Sequence, residues 1–259
     1  MKYTRETENR TMQNYVAPQD LLKDRVILVT GAGDGIGRTA ALTYAAHGAT
    51  VVLLGRTAEK LDAVYDTIEA AGYPQAAILP LDLSTATLQD YQQLGEVIEK
   101  EFGRLDGILH NAAVLGDVTP LDQYDPDTWD FVMRINLRAP FVLTQALLPL
   151  LKQAPDASII FTTSSVGRRA RAFWGAYAVS KCGIEGLSQM LADEVAAISN
   201  IRVNCLNPGA TRTQMRATAY PAENTDHVTR PEQIMPLYLY LMGPDSKGTS
   251  GQSLDAQPK

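Results

Sequence analysis

Short β-branched runs alternate with longer helical patterns along almost the whole chain. RVILVT (25–30), TVVLLG (50–55), AAILPLD (76–82), DGILHNAA (106–113), ASIIFTTSS (157–165) and IRVNCLNPG (201–209) read as strands. Helical patterns fall between and after them at 35–48, 57–72, 88–103, 127–152 and 176–198, with a late helix at 231–242 and a last short strand at 251–256. Strands separated by helices cannot form hairpins, so they must pair in parallel through helical crossovers. The strands are near-continuous apolar runs, as they must be when helices cover both sheet faces. The predicted fold is α/β, a single doubly wound parallel domain over residues 23–259. Residues 1–22 are polar and unpatterned, an N-terminal arm expected to be partly disordered or packed on a neighbour.

Composition excludes several classes. With 259 residues and 45% hydrophobic content, one domain can bury its own core. The two cysteines, Cys182 and Cys205, form no CxxC pair, and His47, His110 and His227 are scattered, so no disulfide framework or metal site is expected. That favours a reduced, cytoplasmic setting. A net charge of −6 argues against nucleic acid as a partner. The most apolar stretch, FVLTQALLPLL (141–151), contains Thr144, Gln145 and Pro149, so no membrane association is expected.

The first strand runs directly into TGAGDGIG (30–37), and a helix follows. A glycine-rich turn between a strand and a helix start cradles a dinucleotide, because the backbone can approach the pyrophosphate and the helix presents free N–H groups. The spacing is GxxxGxG through Gly31, Gly35 and Gly37, with Gly33, Asp34 and Ile36 between them. The end of the second strand reads LLGRT, with Arg56 and no carboxylate before Glu59. An arginine there accommodates the 2′-phosphate of NADP(H), whereas NAD(H) calls for an acidic residue. Asp34 adds some opposing negative charge. The cradle therefore belongs to a Rossmann-type fold that prefers NADP(H).

Near the fifth strand the chain reads TTSSVG (162–167) and then GAYAVSK (175–181). Of the 11 tyrosines, Tyr177 alone has a lysine, Lys181, four residues on. On a helix these positions are neighbours. A free phenol has a pKa near ~10, and bringing it towards neutrality takes about 4 kcal/mol of preference for the phenolate. A nearby cation in a partly desolvated cleft can supply energy of that order. Tyr177 could then give or take the proton of a carbonyl or alcohol. Ser164 sits at the end of a parallel strand, where open α/β sheets bind ligands, and its hydroxyl could bond the substrate oxygen.

Together these residues resemble the short-chain dehydrogenase/reductase family, from about residue 20 onward. TGAGDGIG is similar to the family's TGxxxGIG. LDL (81–83), HNAA (110–113), IN (135–136) and NPGATRT (207–213) resemble its further motifs in order. The resemblance implies a cofactor site that adds Asp82 and Leu83 at the adenine, then Asn111, Ala112 and Ala113, and Pro208, Gly209, Thr211 and Thr213 beside the nicotinamide. It implies a catalytic set of Ser164, Tyr177, Lys181 and Asn136. In that set Lys181 lowers the phenol's pKa and bonds the nicotinamide ribose, and Asn136 fixes a water in a proton relay. It also implies a homodimer or homotetramer paired through the long helices. His110 and Ala113 depart from the family's NNAG, and LDAQPK (254–259) departs from a common DGG ending. Several longer stretches resemble a bacterial subgroup largely described as oxidoreductases of unassigned substrate.

The expected activity is hydride transfer between NADP(H) and a small-molecule carbonyl or alcohol. The alternative is a non-catalytic NADP-binding sensor or interaction protein on the same fold. VGRRARAFWGA (166–176) places Arg168, Arg169 and Arg171 near the site. They would either meet an anionic substrate group or form a solvated basic loop, and the second is favoured because most arginines are exposed. Residues 214–230 are polar and loop-like and would form a lid over the substrate.

Overall fold

The structure is a computed structural model that describes residues 12–258. Strand β1 (Val26–Thr30) leads into helix α1 (Gly35–Ala46), and β2 (Thr50–Gly55) into α2 (Ala58–Ala70). Then follow β3 (Ala77–Pro80), α3 (Leu88–Phe102) and β4 (Gly107–His110). The second half comprises α4 (Pro126–Met133), α5 (Ala139–Leu151), β5 (Ala157–Thr162), a short α6 (Ser165–Arg168), α7 (Gly175–Val195), β6 (Ile201–Asn207), α8 (Gln214–Ala219), α9 (Met235–Met242) and β7 (Ser253–Asp255).

All seven strands pair in parallel in the order β3-β2-β1-β4-β5-β6-β7. The order reverses between β1 and β4, which opens a crevice at their carboxyl ends. Every residue of β1, β4, β5 and β6 is buried, because helices cover both faces. One core packs α1 and α9 against the sheet through Tyr44, Leu237 and Tyr238. The other packs α3, α5 and α7 through Tyr91, Leu147 and Ile184. Local signals set the helix ends. Thr87 and Asp90 form a reciprocal capping box at α3, and Gly103 closes that helix at φ 67°.

The stretch 127–152 reads as one helix in sequence, but the structure interrupts it. Residues Arg134–Arg138 form a π-turn between α4 and α5, closed by a bond from the Ala139 N–H to the Arg134 carbonyl. Apolar periodicity is blind to one extra residue in a turn, and such bulges gather at functional sites. Leu137 of this turn fills the space beside Gly183 on α7, where a Cβ would collide with it. Gly183 thus serves packing within the chain.

Residues 12–22 lie against the chain's own carboxyl-terminal elements. Leu22 is fully buried, Tyr15 packs edge-on against Tyr240 and donates to Asp245 at 2.6 Å, and Gln13 donates to the Asp255 carbonyl. The rest of the expected arm, residues 1–11, falls outside the described residues. No helix among the described residues is long and apolar enough to cross a membrane.

Candidate active site

A single cleft of about 460 Å³ runs along the carboxyl ends of the strands. It takes in every predicted site residue except Gly37 and Asn136. The two exceptions have physical reasons. A Cβ on Gly37 would run into the Gly31 carbonyl and the Asn111 amide, so this glycine lets α1 close against the loop. Asn136 is buried behind the cleft wall.

The glycine loop is shaped by close approach. Gly31 has φ +67°, and a Cβ there would sit 3.0 Å from Ala112 Cα. A Cβ on Gly33 would reach Lys60 at 2.8 Å. The Thr30 hydroxyl anchors the loop's base: it accepts from the Asn111 and Ala112 N–H groups at 2.9 and 3.0 Å. Asp34 caps α1 by accepting from the Gly35 N–H at 2.7 Å. Its other oxygen accepts from Lys60 Nζ at 2.6 Å, and this bond is the main reason its carboxyl stays below the usual range. The opposing charge that Asp34 brings to the loop is therefore paired. Arg56 lines the same end of the cleft, close enough to help hold Asp82 ionised after the bonds from Ser84.

These features fit a dinucleotide. The loop is a cradle that side chains would fill, at the start of a helix, with two cations, Arg56 and Lys60, at the end that would meet a ribose phosphate. Lys60 escaped the sequence reading; it stands in the first turn of α2, just after Arg56 at the end of β2.

The inner end of the cleft holds the serine, tyrosine and lysine. Ser164 stands just past β5 in extended conformation and makes no side-chain cap to α6, and its hydroxyl lies near the Tyr177 phenol at the cleft wall. Tyr177 stands in the first turn of α7. Burial pushes its phenol up to about 12, and the nearby Ser164 hydroxyl opposes that shift. Lys181, one turn on, is buried and pushed down to about 8 by desolvation, against a smaller opposing contribution from Cys205. Its Nζ donates to the Thr162 carbonyl at 2.7 Å and lies 5.7 Å from the Tyr177 ring centroid. In this structure burial is the largest influence on the phenol.

Asn136 projects from the π-turn. Its Oδ1 accepts from the Val114 N–H at 2.8 Å, and its Nδ2 donates to the Val114 carbonyl at 2.9 Å and to Ser180 Oγ at 3.2 Å. Ser180 donates in turn to the Tyr177 carbonyl at 2.8 Å. Asn136 thus ties the segment after β4 to the helix turn that carries the tyrosine and the lysine.

Past β6 the loop 208–211 forms the cleft's far lip. Gln257 Nε2 donates to the carbonyls of Pro208 and Ala210, both at 2.8 Å, and Gln257 Oε1 accepts from Thr229. The unusual LDAQPK ending therefore supplies a brace for this lip that no motif announced. The Thr213 hydroxyl accepts from the Arg216 N–H at 3.1 Å and caps α8. His110 turns away from the cleft: it stacks on Phe161 at 4.7 Å and shares a hydrogen bond with Thr144. Burial pushes it down to about 3, so it is neutral.

Arg168 does not face the cleft. It donates to Asp255 at 2.7 Å, to Ser253 and to the Leu254 carbonyl, and lies 3.6 Å from Glu185. Arg169 and Arg171 are exposed. None of the three lines the site, whereas Trp174 from the same loop does.

The family model for short chain dehydrogenases matches residues 25–224, which hold all four of the Ser164, Tyr177, Lys181 and Asn136 positions; the chain belongs to that family. Its relatives include the uncharacterized oxidoreductase YciK of Escherichia coli (strain K12), 54% identical over 245 residues, which span 95% of this chain and 96% of YciK. A Shigella flexneri structure described as a short chain dehydrogenase complexed with NADP superposes with TM-score 0.91 at 55% identity, covering 93% of this chain and all of the other. An Escherichia coli CFT073 structure described in the same words, complexed with NADPH, agrees equally well at 55% identity and TM-score 0.91 over 93% of this chain and 100% of its own.

Proposed function

We propose that the chain is an NADP(H)-dependent oxidoreductase that moves a hydride between the nicotinamide and a carbonyl or alcohol. The observation that carries this reading is one cleft that gathers Ser164, Tyr177 and Lys181 at one end and presents Arg56 and Lys60 at the other. The NADP and NADPH complexes of the two relatives support the cofactor. NADPH, when bound, supplies the hydride. The chain's own groups bind, orient and handle the proton. Arg56 and Lys60 meet the 2′-phosphate, and the glycine loop and the start of α1 meet the pyrophosphate. Pro208, Gly209, Thr211 and Thr213 border the nicotinamide. Ser164 holds the substrate oxygen, and Tyr177 Oη gives it a proton in reduction or takes one in oxidation. Lys181 sits close enough to stabilise the phenolate left behind. Asn136 keeps the tyrosine's helix in register with the segment after β4. Residues 214–230 act as the lid.

The test is NADPH and NADH oxidation followed by absorbance across neutral and charged ketones, with Tyr177→Phe as control. Turnover that prefers NADPH and collapses in the variant supports the reading. Tight NADPH binding with no turnover on any carbonyl overturns it in favour of a binding protein.

We further propose a homodimer or larger homo-oligomer. Phe141 on α5 and Val179 and Met190 on α7 are exposed, beside the half-buried Leu187, and form an apolar surface on the long helices. A monomer by sedimentation at micromolar concentration would count against it.

A further inference from the structure

The substrate end of the cleft has an aromatic wall with its charge neutralised. Trp174 packs against Tyr177 with ring centroids 5.7 Å apart and against Tyr220 at 6.0 Å, both tilted. Leu115 and Met215 complete the surface around the phenol. The one guanidinium among the described residues lining this end is Arg216. It is already committed. Its Nε and Nη2 donate to the two oxygens of Glu223 at 2.8 and 2.6 Å, and its plane lies 3.7 Å over the Tyr220 ring. Lys181 lies deeper, bonded to Thr162, and Arg168 is held at β7. The remaining charged groups that line the cleft, Asp34, Arg56, Lys60 and Asp82, are at the opposite end, beyond the glycine loop.

A carboxylate or phosphate entering beside Trp174 would lose water and find no uncommitted cation, which is unfavourable. A neutral ring would lay its face or edge against Trp174 and Tyr220 and gain from both. We infer that the site takes neutral ketones carrying a planar or cyclic group, seated against Trp174 and Tyr220, and rejects carboxylated carbonyls of similar size. The inference rests on the oxidoreductase reading above and names its substrate class. Glu223 is then a specificity residue: it keeps Arg216 from recruiting anions.

The experiment is calorimetric titration of the full chain saturated with NADP⁺, using acetophenone and 4-acetylbenzoate as probes. Acetophenone is expected to bind at least about tenfold tighter. Trp174→Leu should weaken acetophenone about tenfold. Glu223→Gln, at a half-buried surface position, should release Arg216 and raise the affinity for 4-acetylbenzoate about tenfold. The inference is overturned if 4-acetylbenzoate binds as well as acetophenone or better, or if neither probe binds at millimolar concentration. It is also overturned if Trp174→Leu leaves acetophenone unchanged or if Glu223→Gln leaves 4-acetylbenzoate unimproved. Reduction by NADPH is read separately. Turnover of either ketone that is lost in Tyr177→Phe keeps the oxidoreductase reading even where the preference fails. Binding with the expected preference but no turnover does the reverse.

Discussion

Lys181 Nζ donates to the Thr162 carbonyl at 2.7 Å, from a position with almost no exposure to solvent. One neutral acceptor does not replace the water lost by an ammonium, so the folded protein depresses this lysine from 10.5 to about 8. A depressed lysine binds fewer protons in the folded chain than in the unfolded one between those values. Stability from this group should therefore rise with pH across the window from about 8 to 10.5, by up to about 3 kcal/mol. Tyr177 acts oppositely above pH 10, because its pKa is raised and the unfolded chain loses that proton first. Urea unfolding at several pH values checks this. Wild type should gain stability from pH 8 to 9.5 relative to Lys181→Met, and parallel curves would refute the assignment.

Tyr177→Phe keeps the ring that packs on Trp174 and removes the hydroxyl that lies near Ser164. It should lower kcat by about 10²–10⁴-fold while NADPH affinity stays within about twofold. Ser164→Ala should lower kcat less, since in the proposed role it holds the substrate oxygen and is not the proton source. Steady-state kinetics beside fluorescence titration of NADPH separates the two effects.

Arg56 and Lys60 share the outer end of the cleft, but only Lys60 is bonded to a carboxylate, Asp34. Arg56→Ala should raise KM for NADPH by about 10–100-fold, the worth of a charge-assisted bond, and leave NADH nearly unchanged. Equal loss for both cofactors would show that Arg56 does not read the 2′-phosphate.

Arg168 binds Asp255, Ser253 and the Leu254 carbonyl, and so pins β7 to α6 and α7. Arg168→Ala should cost about 1–2 kcal/mol of stability, measured by urea unfolding, because half-buried acceptors lose a charged donor. KM for charged and neutral ketones should not diverge in this variant, as it would if Arg168 anchored an anionic substrate.

How much of this was legible in the sequence depended on the kind of signal. The parallel sheet followed from apolar runs such as RVILVT alternating with helices, and helix spacing alone put Tyr177 beside Lys181. Interactions between distant segments were not legible. Nothing near Pro208 points to Gln257 as its brace, and nothing in RRAR shows that Arg168 faces Asp255 while its neighbours face water. Local spacing reports the lysine beside the tyrosine but not the burial around both. Trp174 was visible as an aromatic near the site, whereas its partner Tyr220 comes from a different loop.

The π-turn at Arg134–Arg138 makes this region intolerant of tidying. Deleting one residue there would let α4 and α5 join as an unbroken helix with a better backbone ladder. The same edit would swing Asn136 about 100° around the axis, away from Val114 and Ser180. The loss of those bonds and of the packing of Leu137 against Gly183 would offset any gain in the helix ladder. Gaps placed within 134–138 when homologous chains are aligned therefore mark candidates for lost chemistry rather than neutral drift in loop length.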